Sequence, residues 1–162
     1  MDRILKLQKE LLYVIGEQEG KKKERDHSLD WERVHMASCA RLGYLMAQER
    51  GQDAELAACA CSVHDFGRIL TGEQKGHAEE GYQPVKKFLY DLDLFTEEEI
   101  DLISLAVKHH SSKSEIGSWI EEIVKDADVV DCYQYGMPLL RDEQKVRYDA
   151  YMNRNQYRQT ER

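Results

Sequence analysis

A chain of 162 residues, 41% hydrophobic and 33% charged, has the length of one domain and the composition of a soluble globular protein. Its formal net charge of −8 argues against nonspecific attraction to a nucleic-acid backbone, which needs a basic face. An anionic substrate would have to be drawn in by something local, and a bound cation would serve.

The N-terminal stretch MDRILKLQKELL mixes charges with leucines and lacks the uncharged core of a signal peptide. No apolar run reaches the ~20 residues that a membrane span needs, so the expected compartment is the cytoplasm, with no membrane partner. Residues 2–17 place Ile4, Leu5, Leu11, Leu12 and Ile15 at helical spacing. EQEGKKKERDHS follows as a charged connection. A second helix is expected from about Asp30 to Arg50, with Trp31, Val34, His35, Ser38, Leu42, Leu45 and Met46 along one stripe and Gly51 as its stop. A third, from about Asp53 to Asp65, contains AELAACACSV, whose small residues suit a central helix.

Residues 66–76, FGRILTGEQKG, carry three glycines and read as a loop. A helix from about His77 to Tyr90 contains Pro84, which either kinks it or marks a later start. Thr96 and Glu99 form a capping-box pattern for a helix ending near His109 and His110. SSKSEIGS is a loop, and the last core helix runs from about Trp119 to Tyr135. Residues 139–162 are polar, tyrosine-rich and helical in part. The fold class expected is all-α: a single-domain bundle of about six to seven helices over residues 1–162. The four cysteines show no CxxC spacing and read as reduced thiols, not as a zinc finger.

Several polar residues sit oddly in this pattern. His35 lies on the apolar stripe of the second helix, where a lone histidine is usually a hydrogen-bonded core residue. His64 and Asp65 close a small, apolar helix, where Asp65 alone could simply cap the next turn. Asp128 lies in IVKDADVVD, beside Ile123, Val124, Ala127 and Val130 on the buried side. A carboxylate there costs several kcal/mol unless it is paired or bound to a cation. Together, two imidazoles and two carboxylates on three helices suit a divalent transition metal with positions left for water.

This set resembles the HD-domain superfamily of metal-dependent phosphohydrolases, whose signature is H…HD…D. The resemblance spans about residues 27–133, with the N-terminal helix and the tail outside it. His35 and His64 stand 29 residues apart, as in compact members, with Ala47 and Gly51 where small residues recur between them. DWERV resembles the opening of the family's first motif helix, and KDADVVD its DAD-x-x-D ending. Aligning on DWE alone would put Arg33 in the ligand position; the spacing favours His35 and leaves Arg33 to face elsewhere.

The resemblance implies that His35, His64, Asp65 and Asp128 bind the metal: Fe, Mn, Co, Ni or Zn, as one ion or two. His77 and the pair His109 and His110 resemble the extra histidines of two-metal members. There His77 and His110 would bind a second ion and Asp65 would bridge, with His109 the rival of His110. The plainer readings are a loop histidine for His77 and a helix C-terminal charge interaction for the pair. HDFGR carries Arg68 where many members have lysine; it would contact phosphate, with Asp65, in the catalytic machinery, or else form a surface ion pair. Lys75, Lys108 and Lys113 could add a positive rim. Asp131 would either orient a ligand histidine or face solvent.

The implied activity is hydrolysis of a phosphate ester or anhydride of a small molecule, a nucleotide in the first instance. A di-iron oxygenase and a non-catalytic metal- or nucleotide-binding module are the alternatives. The tail would cover the site, or support a homodimer through Tyr148, Tyr151 and Tyr157.

Overall fold

The computed structural model describes the backbone of residues 2–159 and the side chains of residues 2–154. Eight α-helices and no strand occur among the described residues: α1 (Asp2–Gly16), α2 (Leu29–Glu49), α3 (Ala54–Val63), α4 (Phe66–Thr71), α5 (His77–Leu92), α6 (Glu97–His109), α7 (Trp119–Gln134) and α8 (Asp142–Gln159). The all-α class holds, and no helix among the described residues is long and apolar enough to cross a membrane.

α3 lies at the centre. Every residue from Leu56 to Val63 is buried, and α1, α2, α6 and α7 all pack against it. Small residues make this possible. A Cβ at Gly43 of α2 would collide with the Cys61 sulfur, so the glycine lets α2 approach α3 closely. The α2 stripe expected from the large apolar residues is rotated: Val34 and Leu45 are exposed, and the buried face is Glu32, His35, Met36, Cys39, Ala40, Gly43, Met46 and Ala47. In α1 the buried residues are Leu7, Leu11 and Ile15, while Leu5 and Leu12 face outward.

The expected loop after Asp65 instead begins with a short helix, α4, with Phe66 and Ile69 buried. It turns the chain out of the core and against the first turn of α5. Gly67 is the contact point: a Cβ there would collide with the His77 carbonyl oxygen and stand 2.7 Å from the Gly81 nitrogen. α5 starts at His77 and runs through Pro84, so the proline does not delay it. We expect Gly67→Ala to cost ~3 kcal/mol, because both obstructing atoms are backbone. A urea-denaturation loss below ~0.5 kcal/mol would show that α4 can shift freely.

Thr96 caps α6 in the expected capping box with Glu99. Beyond α7, residues 137–141 line a cavity before α8 begins. Tyr148 and Tyr151 of α8 pack against the core, and the side chain of Tyr157 lies outside the described residues. Cys39, Cys59 and Cys61 are free and buried, and Cys132 is free and half-buried.

Candidate metal centre

Three helix ends, the second turn of α2 and the middle of α7 deliver the chemistry. His35 comes from the second turn of α2, His64 and Asp65 from the end of α3, His77 from the start of α5 and His110 from the end of α6; Asp128 comes from the middle of α7. His35, His64, Asp65, His77 and His110 are all at most 5% exposed.

They form two connected halves. In the first, His35 Nε2 lies 3.1 Å from His64 Nε2. Asp65 Oδ2 is 3.3 Å from His35 Nε2 and 3.1 Å from His64 Nε2, and Asp128 Oδ1 is 3.4 and 3.6 Å from the same two nitrogens. In the second, His77 Nε2 lies 2.9 Å from His110 Nε2, with the other Asp65 oxygen, Oδ1, 3.0 and 3.5 Å away. One carboxylate therefore faces both halves, one oxygen to each.

The hydrogen bonds at the back of the rings fix which atoms look inward. His64 Nδ1 donates to the Cys61 carbonyl at 2.7 Å, His77 Nδ1 to that of Gln74 at 2.6 Å and His110 Nδ1 to that of Val107 at 2.6 Å. His35 Nδ1 donates to Asp131 Oδ2 at 2.6 Å. In a neutral imidazole the other nitrogen, Nε2, then carries a lone pair. Two such lone pairs meet a carboxylate oxygen in each half. Apart from a long 3.4 Å contact from the Ser111 hydroxyl, no neutral donor among the described residues relieves this repulsion in the His77–His110 half. A cation relieves it in both. Ligands at ~2.1 Å from a divalent metal stand ~3.0–3.4 Å apart, which matches the spacings here. The donor set, imidazole with carboxylate, suits a transition metal.

The electrostatics agree. Burial disfavours a charged His64, yet the Asp65 and Asp128 carboxylates outweigh it and raise its pKa to about 10. Burial likewise opposes charge on His35, and Asp128, Asp131 and Asp65 hold it well above the usual imidazole value. His110 goes the other way, pushed down to about 4 chiefly by burial. Asp65 and Asp128 stay well below the usual carboxylate range against burial, held there by Arg68 and His64 for the first and by Lys113 and the two histidines for the second. The carboxylates around His35 and His64 thus favour positive charge at this point, which a metal ion would supply.

The three aspartates of KDADVVD do different things. Asp126 is buried between Arg50 at 2.7 Å and Arg147 at 2.8 Å, tying the end of α2 to α8. Asp128 faces the histidines. Asp131 accepts from His35 and, at 2.8 Å, from the Ser38 hydroxyl, so it orients the ring and does not face solvent. Asp131→Ala should weaken metal affinity ~10–100-fold while leaving the fold intact, as measured by competition with a fluorescent chelator. Unchanged affinity would show that the Trp31 ring, stacked on His35 at 4.8 Å, suffices to hold it.

Two expected residues have partners other than those expected. His109 is turned away from the cluster toward Glu121, 3.1 Å distant, with 39% of its side chain exposed. Arg68 is buried, and its guanidinium is taken up within the protein. Nε donates to Glu32 Oε1 at 2.8 Å, Nη1 to Gln74 at 2.7 Å and Nη2 to both Glu32 and Asp65. It braces the bridging carboxylate, and one Nη1 N–H remains without a partner at the cavity it lines. Arg33 faces the surface, paired with Glu19 and Asp30. Lys75 is exposed, and Lys108 pairs with Glu79 at 3.3 Å.

Other neighbours carried little signal. Cys39 and Cys132 each lie one turn after a cluster residue, His35 and Asp128, and so share its helix face. Burial raises both thiol pKa values, so they stay protonated; Cys132 donates to Asp128 Oδ1 at 3.3 Å. A cavity of about 360 Å³ opens over Asp65, His77, His110 and Asp128, walled by His27 and Trp31 on one side and by Met137 to Arg141 on the other.

The all-α bundle brings two facing histidine pairs around a shared carboxylate, a set of groups that could hold a divalent metal. The HD domain family model matches residues 33–136, and the chain belongs to that family, whose members typically are metal-dependent phosphohydrolases. No solved structure matches the chain.

Proposed function

We propose that the protein is a metal-dependent phosphohydrolase that uses two divalent ions to cleave a phosphate ester or anhydride of a small molecule, a nucleotide in the first instance. The observation that carries this reading is Asp65, with one oxygen toward His35 and His64 and the other toward His77 and His110. His35, His64 and Asp128 would hold one ion, His77 and His110 the other, and Asp65 both.

A divalent metal in such a site lowers the pKa of water toward neutrality and offsets phosphoryl charge. The chain's own residues do the positioning. Arg68 fixes the plane of Asp65, and Glu32 neutralises Arg68 so that the brace adds no free charge. Asp131 holds the His35 ring with its Nε2 inward. The Met137–Arg141 segment roofs the cavity and limits water, and Trp31, His27, Leu139 and Leu140 offer apolar and aromatic wall to an organic group such as a base. A volume of about 360 Å³ is at the lower end of small-ligand sites, which favours a compact substrate.

The test is phosphate release from a panel of nucleoside mono- and polyphosphates, with Mn, Fe, Co, Ni or Zn supplied, in air and under argon. Metal-dependent release that His64→Ala abolishes is expected, with or without oxygen. Oxygen uptake without phosphate release would point to a di-iron oxygenase. Binding of metal and nucleotide with no turnover would point to a sensing module.

A further inference from the structure

Lys113 follows His110 on the loop between α6 and α7 and is 4% exposed. Its ammonium lies 2.5 Å from Asp128 Oδ2, the oxygen turned away from the histidines, and it lines the cavity. That position sits between the two halves: Lys113 touches Asp128 of the first, and its charge acts on His110 of the second. An ammonium has three N–H donors, and among the described residues one acceptor is provided for them. Burying the other two without acceptors is costly unless a ligand supplies oxygen atoms.

The loop is held firmly in place. Arg147 of α8 donates through Nε to the Lys113 carbonyl at 2.7 Å and through Nη2 to that of Glu115 at 3.2 Å. Arg147 is itself anchored by Glu122 at 2.9 Å and Asp126 at 2.8 Å. The Lys125 ammonium, fully buried, donates to the same Glu115 carbonyl at 2.9 Å. Of the other basic side chains lining the cavity, Arg68 has four of its five N–H donors on Glu32, Asp65 and Gln74, and Arg141 donates to the Ser111 carbonyl at 3.2 Å.

We propose that Lys113 is the phosphate-binding cation of this site, donating its free N–H groups to a non-bridging phosphoryl oxygen of the substrate while its third holds Asp128. The inference rests on the phosphohydrolase reading for the identity of the ligand, and on the geometry of the loop for the identity of the residue.

Metal-loaded wild type, K113Q and K113R are compared by equilibrium dialysis with inorganic phosphate and by elemental analysis of metal content. K113Q should keep its metal and lose phosphate affinity ~10–100-fold, and K113R should recover part of the loss. If K113Q does not fold, K113M is read in the same way. Metal lost from K113Q would overturn the proposal by reducing Lys113 to a support for Asp128. Phosphate affinity unchanged in K113Q, or no phosphate binding by the wild type, would overturn it as well. Neither readout uses turnover, so a Lys113-dependent phosphate site in a protein that cleaves no ester would preserve this inference and sink the hydrolase reading.

Discussion

Asp65→Ala is expected to empty both halves of the site and to lower kcat/KM by at least ~10³-fold, about 4 kcal/mol of transition-state stabilisation. No other side chain in the cluster faces both histidine pairs. Its Oδ2 lies 3.1 Å from His64 Nε2 and its Oδ1 3.0 Å from His77 Nε2. Removing it takes one anionic ligand from each ion at once, whereas His77→Ala removes a neutral ligand from one. The two variants should therefore differ in kind. Asp65→Ala should lose all tightly held metal, while His77→Ala should keep the ion held by His35, His64 and Asp128. Both should keep the helical circular dichroism of the wild type, because Arg68 retains Glu32 as a counter-charge. An Asp65→Ala protein that holds two ions and turns over normally would remove Asp65 from the centre of the mechanism.

Arg68→Ala is expected to destabilise the fold by ~3–5 kcal/mol, the usual cost of leaving one partner of a buried ion pair alone. Glu32 is 1% exposed, and Arg68 reaches it through two nitrogens. Burial, then Asp65, already raises the Glu32 pKa even with the arginine present. A carboxyl with a raised folded pKa destabilises the fold once pH exceeds its unfolded value, and the penalty eases as pH falls through the folded pKa. Without Arg68 that penalty should grow, so the stability deficit should be larger at pH 8 than at pH 5. Arg68→Lys should recover only part of it, because one ammonium cannot span Glu32, Asp65 and Gln74 together. Urea denaturation at the two pH values measures this. A deficit below ~1 kcal/mol, with a raised KM in its place, would return Arg68 to the phosphate-binding role that its place in HDFGR suggests.

Arg68 shows what a local motif leaves out. HDFGR gave the residue but not its partner, because Glu32 lies 36 positions away and has no marker of burial in DWERV. The same limit misplaced the stripe of α2. Large apolar residues such as Val34 and Leu45 dominate a periodicity, yet the face that packs on α3 is chosen by what fits, namely Gly43, Ala40 and Ala47. α4 has no sequence signature because six residues hold too few turns to show a period, and Gly67 inside it and Gly72 at its C-cap read as loop. Glycine there serves the close approach to α5.

The candidate site was easier to read than the packing around it. His35 and Asp128 are polar residues beside buried helical positions, and His64 and Asp65 close a small apolar helix. Each is weak alone, and the resemblance to the H…HD…D signature is what joins them into one set. Choosing between His109 and His110 was beyond the sequence, since neighbours at a helix end point ~100° apart and either could face in. The structure turns His110 inward by a hydrogen bond to Val107 and leaves His109 to Glu121. The roof over the cavity was also hidden, because Met137 to Arg141 has no periodicity of its own.

Metal content per chain, measured on protein purified without chelator, tests the shared-carboxylate centre most directly. The account predicts close to two ions in the wild type, close to one in both His77→Ala and His110→Ala, and two in His109→Ala. One ion or fewer in the wild type, with no change in His77→Ala or His110→Ala, would contradict it.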